Sequence, residues 1–148
     1  MSHGCDAYPC GQDGGAHLAA VIDCHDREIV GYEFALRSRA KKAERAVEAA
    51  CLQRFGTLRP MNAPVLRSEN GMIERFFRSL KEECVWQHTL QTFEEARRII
   101  RDWVQWYNQG RPHSALGYRS PAQYRANPGG LISREHYRGA RRAGPLVL

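Results

Sequence analysis

The segment "QTFEEARRIIRDWVQWYNQG", residues 91–110, restricts the possible folds more than any other part of this chain. Thr92 and Glu95 have the spacing of a capping box, in which both side chains satisfy backbone N–H groups that a helix start leaves unpaired. Phe93, Ala96, Ile100, Trp103 and Tyr107 then recur along one face, and Gly110 ends the run. A helix with so apolar a stripe needs a second layer to cover it. A similar stripe lies upstream in residues 70–86. At about 100° per residue, Ile73, Phe76, Phe77, Leu80 and Cys84 gather on one side, while Glu74, Arg78 and Lys81 share a separate polar stripe.

The partner layer is supplied by residues 16–36, which read as a hairpin. Two β-leaning runs, "HLAAVID" and "EIVGYEFAL", flank a polar turn at Cys24–Arg27. Val30, Tyr32, Phe34 and Leu36 fall on one face of the second run and Glu33 on the other. Asp23 and Asp26 read as turn-formers that hydrogen-bond the local backbone. A helix is expected over 41–55, where Ala43, Val47, Ala50, Cys51 and Phe55 repeat near helical period ahead of Gly56. A Pro-bracketed loop, "LRPMNAP", leads into a short buried strand at 64–68. Helices at 70–86 and 92–109 follow, and Trp86, Trp103 and Trp106, at helical spacing, are expected in the core and not as a base-stacking platform. The order strand, strand, helix, strand, helices is that of an α/β domain over 1–126, with a basic flexible tail over 127–148.

Composition narrows the class of function. No apolar run approaches membrane-spanning length and no signal pattern opens the chain, so no membrane partner is expected and the cytoplasm is the expected location. Five cysteines, at positions 5, 10, 24, 51 and 84, are an odd number for a disulfide framework. His3, Cys5, Cys10, Cys24 and His25 raise a zinc site, but no CxxC occurs, and the thiols read as unliganded. Residues 1–70 carry nine Lys/Arg and nine Asp/Glu, while residues 71–148 carry thirteen against seven and hold the entire net charge of +6. A basic half of this kind is the electrostatic footprint of a nucleic-acid partner.

Two readings of the polar stripe follow from the residues alone. Glu74 can hold a divalent cation while Arg78 and Lys81, one and two turns on, steer a nucleic-acid backbone past it. Alternatively, the stripe is an exposed helix face with i,i+4 charge pairing.

Three stretches in order resolve the choice: "GQDGGAHLAAVIDCHDREIVGYEFAL", "NGMIERFFRSLKEE" and "WYNQGRPHSALGYRSPAQY". Together they resemble bacterial insertion-sequence transposases whose catalytic core is of the retroviral-integrase DDE type, over most of the chain from Cys10 to Tyr124. The resemblance implies an incomplete ribonuclease H-like α/β fold, with a short mixed sheet and a helical C-terminal half. It implies three carboxylates holding two Mg²⁺ or Mn²⁺ ions, which activate water or a DNA 3′-hydroxyl for in-line phosphoryl transfer. The implied partners are transposon ends and target DNA, together with a second copy or a full-length transposase, while end recognition is assigned to a separate helix-turn-helix region. Glu74 matches the last catalytic carboxylate and metal ligand. Lys81 matches a basic position that contacts the transposon end, beside Arg78. Arg111 and His113 match the "RPH" element, for which packing and DNA contact both stay open.

The other two acids depart from the pattern. Asp6 is the one acid near the first position, as catalytic and metal residue, yet it lacks the following Thr, and Gly15 replaces a usual Trp. The second Asp belongs to an "SDNG"-like strand end about thirty-five residues before the Glu, an interval that brings both to one metal cluster. Here "VLRS" runs at once into Glu69, Asn70, Gly71 and the helix of Glu74. An internal deletion accounts for this, and on that reading Glu69 belongs to the downstream side rather than replacing the lost Asp. The expected function is a DNA integration and recombination protein of transposition with impaired or absent strand transfer. The alternatives are a non-catalytic DNA-binding or transposase-interacting fragment, and a decayed remnant.

Overall fold

The strand β2 (Gly15–Ile22) sets the layering. Its sequence GAHLAAVI has only one polar side chain because both faces are covered. Leu18, Ala20 and Ile22 point into the larger core, whereas Ala19 and Val21 enter a smaller one on the opposite face. The computed structural model describes residues 1–36, 39–62, 64–68 and 71–127. Within these residues β1 (Ser2–Pro9), β2, β3 (Ile29–Ala35) and β4 (Arg67–Ser68) form one sheet of order β3-β2-β1-β4. β2 is antiparallel to β1 and to β3, while β4 runs parallel to β1 at Ser2 and His3.

Helices cover both faces. α1 (Arg39–Phe55) packs Ala46 and Ala50 against Ala19, Val21 and Val30. Gly31 is what lets it come so close, since a Cβ there would stand 2.3 Å from the Ala46 carbonyl oxygen. On the other face lie α2 (Gly71–Glu83) and α3 (Phe93–Gln109). Their stripes meet through Phe76, whose ring is edge-on to Tyr107 at 5.3 Å and tilted against Trp103 at 5.8 Å, both favourable aromatic geometries. The Thr92 hydroxyl accepts from the Glu95 N–H, and the Glu95 carboxylate reaches back to the Gln91 N–H. A short α4 (Pro121–Ala126) starts with a full capping box between Ser120 and Gln123.

The hairpin turn does more than reverse the chain. Asp23 and Asp26 accept from the His25 and Glu28 N–H groups, the local role expected of turn acids. Asp26 is also buried, and it receives Arg54 from the end of α1 and Arg125 from α4. Asp23 and Glu28 join the same network through Arg54. The turn is thereby pinned to two helices; burial pushes the Asp26 carboxyl above its ordinary range, and the Arg54 charge opposes that shift only in part.

Three features differ from the sequence expectation. The strand at 64–68 shrinks to Arg67–Ser68, and Val65 and Leu66 are 73% and 42% exposed rather than buried. β4 pairs with β1 alone, over Ser2 and His3, and Pro64 has no N–H to donate, so the ladder is short at this edge of the sheet. The helix expected over 70–86 ends at Glu83, and a separate 3₁₀ turn spans Val85–Gln87. Trp86, on that turn, is 69% exposed and outside the core, whereas Trp103 is buried and Trp106 partly so. Residues 69–70, which include Glu69, and the tail residues 128–148 lie outside the described residues.

Candidate nucleic-acid interface

Side-chain alternation along β1 places Gly4, Asp6 and Tyr8 on the face that meets α2. Gly4 leaves room for α2, because a Cβ there would stand 3.0 Å from the Phe77 ring and 3.1 Å from Ile73. Tyr8 is buried in the larger core. Between them, Asp6 emerges at the margin of the layer beside the polar stripe of α2. Its Oδ2 lies 2.7 Å from Lys81 Nζ and accepts from the Tyr8 hydroxyl at 3.2 Å, while Oδ1 accepts from the Ala7 N–H at 2.9 Å. The carboxylate is therefore oriented by three donors. Burial, followed by the adjacent Asp6 charge, pushes the Tyr8 phenol far above its ordinary range, so it remains a neutral donor.

Asp6, Glu74, Phe77, Arg78, Lys81, Glu82 and Trp86 line one open cleft of about 470 Å³. The fold thus brings together Asp6 and Glu74, far apart in sequence, with Arg78 and Lys81 from the same stripe. Glu82, Phe77 and Trp86 also line it, and the sequence reading gave none of them a site role. The signal for Trp86 was present: two residues past Cys84 is about 200° around a helix from the apolar stripe.

Arg111 and His113 lie elsewhere, at the C-terminal end of α3. Arg111 Nε donates to Glu83 Oε2 at 2.8 Å, its Nη2 donates to Ser79 Oγ at 3.3 Å, and the guanidinium sits 5.6 Å from the Tyr107 ring centroid. His113 is edge-on to Tyr107 at 4.7 Å, and its Nε2 is buried without a partner among the described residues. Burial and the neighbouring Arg111 charge lower its pKa to about 4. In this position the "RPH" element locks α3 to α2.

Carboxylates are the right donors for hard divalent cations. Among the described residues, however, no group of three His, Cys, Asp or Glu side chains is placed to hold a metal ion. Asp6 is already neutralised by Lys81. The three-carboxylate, two-ion arrangement that the resemblance implies does not fit the described residues. None of the five cysteines is joined in a disulfide. Cys10 and Cys84 are buried, and burial raises the Cys84 pKa to about 12, which leaves it inert as a nucleophile. No described helix is long and apolar enough to cross a membrane.

An α/β layer that sets β1 and α2 acids beside a basic stripe is a frame suited to phosphate chemistry, and comparison with known proteins agrees. Residues 56–121 match the family model described as the integrase core domain, a span that includes α2 and α3. An uncharacterized protein of insertion element IS476 from Xanthomonas euvesicatoria is 37% identical over 78 residues, covering 53% of this chain and 22% of the relative. An uncharacterized IS136 protein from Agrobacterium fabrum is 28% identical over 150 residues, covering 79% of this chain and 77% of the relative. The transposase for IS904 from Lactococcus lactis is 27% identical over 141 residues, covering 76% of this chain and 56% of the relative. The chain thus spans about a fifth of the first relative and somewhat over half of the third. These matches support an insertion-element transposase with an integrase-like core. The IS136 alignment also shows a difference in length. It extends over 150 positions yet takes in 79% of 148 residues, about 117, so about 33 positions of the relative have no counterpart here.

Proposed function

We propose that this chain is a DNA transposition protein on a reduced ribonuclease H-like core, one that docks DNA along α2 but transfers phosphoryl groups weakly or not at all. The mixed sheet with helices on both faces supports that fold. One observation carries the functional reading. In the cleft that holds both Asp6 and Glu74, the cation set against Asp6 is the Lys81 ammonium of the chain itself. The pair is only partly buried, so its part in this reading is the charge it places beside the cleft rather than a hold on the fold. Glu74 is the proposed remnant of the catalytic acids, with Asp6 as its neighbour across the cleft. Arg78 and Lys81 are the proposed phosphate contacts.

Gel-shift titration with transposon-end duplex at increasing salt tests the reading. The wild-type chain should lose affinity linearly in log salt, and a joint Arg78→Ala, Lys81→Ala variant should reduce the slope by about 2, one counterion for each phosphate contact. Binding that is indifferent to salt, or a slope unchanged in the variant, would refute docking along α2.

A further inference from the structure

Trp86 is a large apolar side chain held outside the core. Its 69% exposure places the indole in solvent at the edge of the cleft formed by Asp6, Glu74, Arg78 and Lys81. The turn beneath it is firmly anchored. Cys84 and Val85, immediately before it, are buried in the larger core. The Gln87 N–H donates to the Cys84 carbonyl at 3.2 Å and the His88 N–H to the Val85 carbonyl at 3.3 Å. The Gln87 side chain donates to the Glu82 carbonyl at 3.1 Å, and His88 Nδ1 lies 2.8 Å from the Cys84 carbonyl oxygen. The end of α2 is therefore closed by side chains on both sides of the indole, and the backbone that carries it has little freedom to fold it inward.

A fixed aromatic face beside cationic side chains is the arrangement that binds unpaired nucleobases: the cations track the phosphates while the ring stacks on a base, whatever its identity. From this placement we infer that Trp86 is a stacking platform for a nucleobase freed from its pair at a DNA end, held next to the phosphate that Arg78 and Lys81 engage. The inference rests on the proposed docking of DNA along α2 and adds to it a preference for a frayed or single-stranded end over a closed duplex. The same cations favour nucleic acid over an apolar protein partner, because desolvating Arg78 and Lys81 against an uncharged surface would cost more than the indole contact returns.

The test compares two probes on the full chain: a blunt duplex, and the same duplex with a short single-stranded overhang carrying 2-aminopurine. Wild type should bind the overhang probe more tightly and quench its fluorescence. Trp86→Leu, which keeps an apolar side chain without a π face, should lose roughly tenfold in affinity for the overhang probe and abolish the quench, with a smaller loss for the blunt duplex. Trp86→Phe should retain most of both effects. Equal binding of the two probes by wild type, or an unaltered overhang affinity in Trp86→Leu, would overturn the inference while leaving docking intact. Failure of wild type to bind either probe would sink the docking reading as well. Sedimentation adds a further arm: a Trp86→Leu variant that loses self-association but keeps its overhang preference marks the indole as a protein contact and overturns the proposal.

Discussion

His113 shows how the surroundings of one residue decide what it can do. Its ring lies edge-on to Tyr107, near the Arg111 charge, and a ring hydrogen bond to the Tyr107 backbone does not compensate for burial. The folded pKa of about 4 lies below the ordinary 6.5, so between those values the unfolded chain binds a proton that the folded chain refuses. The associated stability is fully present above about pH 6.5 and is lost as pH falls towards 4, with a slope of at most about 1.4 kcal/mol per pH unit for one proton. Urea unfolding at pH 7 and pH 5 should show this loss in wild type, and His113→Gln should remove that share of it. Equal losses in the two proteins would contradict the assignment. A histidine kept neutral in this way brings no positive charge to a phosphate at neutral pH. Arg111, hydrogen-bonded to Glu83 and Ser79, likewise directs its charge inward. The cations that face the cleft are instead those on α2, the exposed Arg78 and the partly buried Lys81.

At the scale of elements, period and caps were the legible signals. The Phe93-to-Tyr107 stripe, the Thr92 start and the Gly110 end together define α3, and its apolar face does meet that of α2. Less legible was whatever depends on a distant partner. β1 has little strand character in "SHGCDAYP", and it forms because β2 offers it a complete antiparallel ladder from Ser2 to Pro9. The bracing of Asp6 by Lys81 is invisible to local pattern for the same reason. Gly31 belongs here too, since nothing in "EIVGYEFAL" reveals that α1 crosses it. A Cβ at position 31 would meet both the Ala46 carbonyl oxygen and, at 2.6 Å, the Ala50 nitrogen, which are backbone atoms of a helix and cannot yield singly. Gly31→Ala should therefore displace α1 and lower stability by about 1–3 kcal/mol, read as a shift in urea midpoint. Gly15→Ala, where a Cβ would meet nothing within 4 Å, should stay within about 0.5 kcal/mol. If both variants unfold at the wild-type midpoint, the tight crossing of α1 over β3 is not a constraint.

For the whole molecule, what matters is the short connection between the sheet and α2. About 33 positions of the IS136 relative have no counterpart in this chain. Leu58, Met61, Val65 and Leu66 stand exposed just ahead of α2, an apolar surface that a longer chain would have the residues to cover. The consequence for chemistry is geometric. β1 still delivers Asp6 and α2 still delivers Glu74 to one cleft, but among the described residues no third ligand completes a metal-holding set, and Lys81 already balances Asp6. Two-ion phosphoryl transfer needs the charge of both cations to be held in place while the attacking and leaving oxygens are exchanged, and an ammonium cannot stand in as a Lewis acid. Purified chain incubated with Mn²⁺ and end-labelled transposon DNA should therefore give no nicking above a Glu74→Gln control, even under conditions where the gel shift shows full occupancy. Nicking that disappears in Glu74→Gln would refute this, and would mean that residues outside the described set complete the site. Inserting the missing segment of the IS136 relative between Ser68 and Gly71 supplies the converse test. Glu74-dependent nicking should then appear, because among the described residues the cleft has the helix that brings Glu74 but no third ligand.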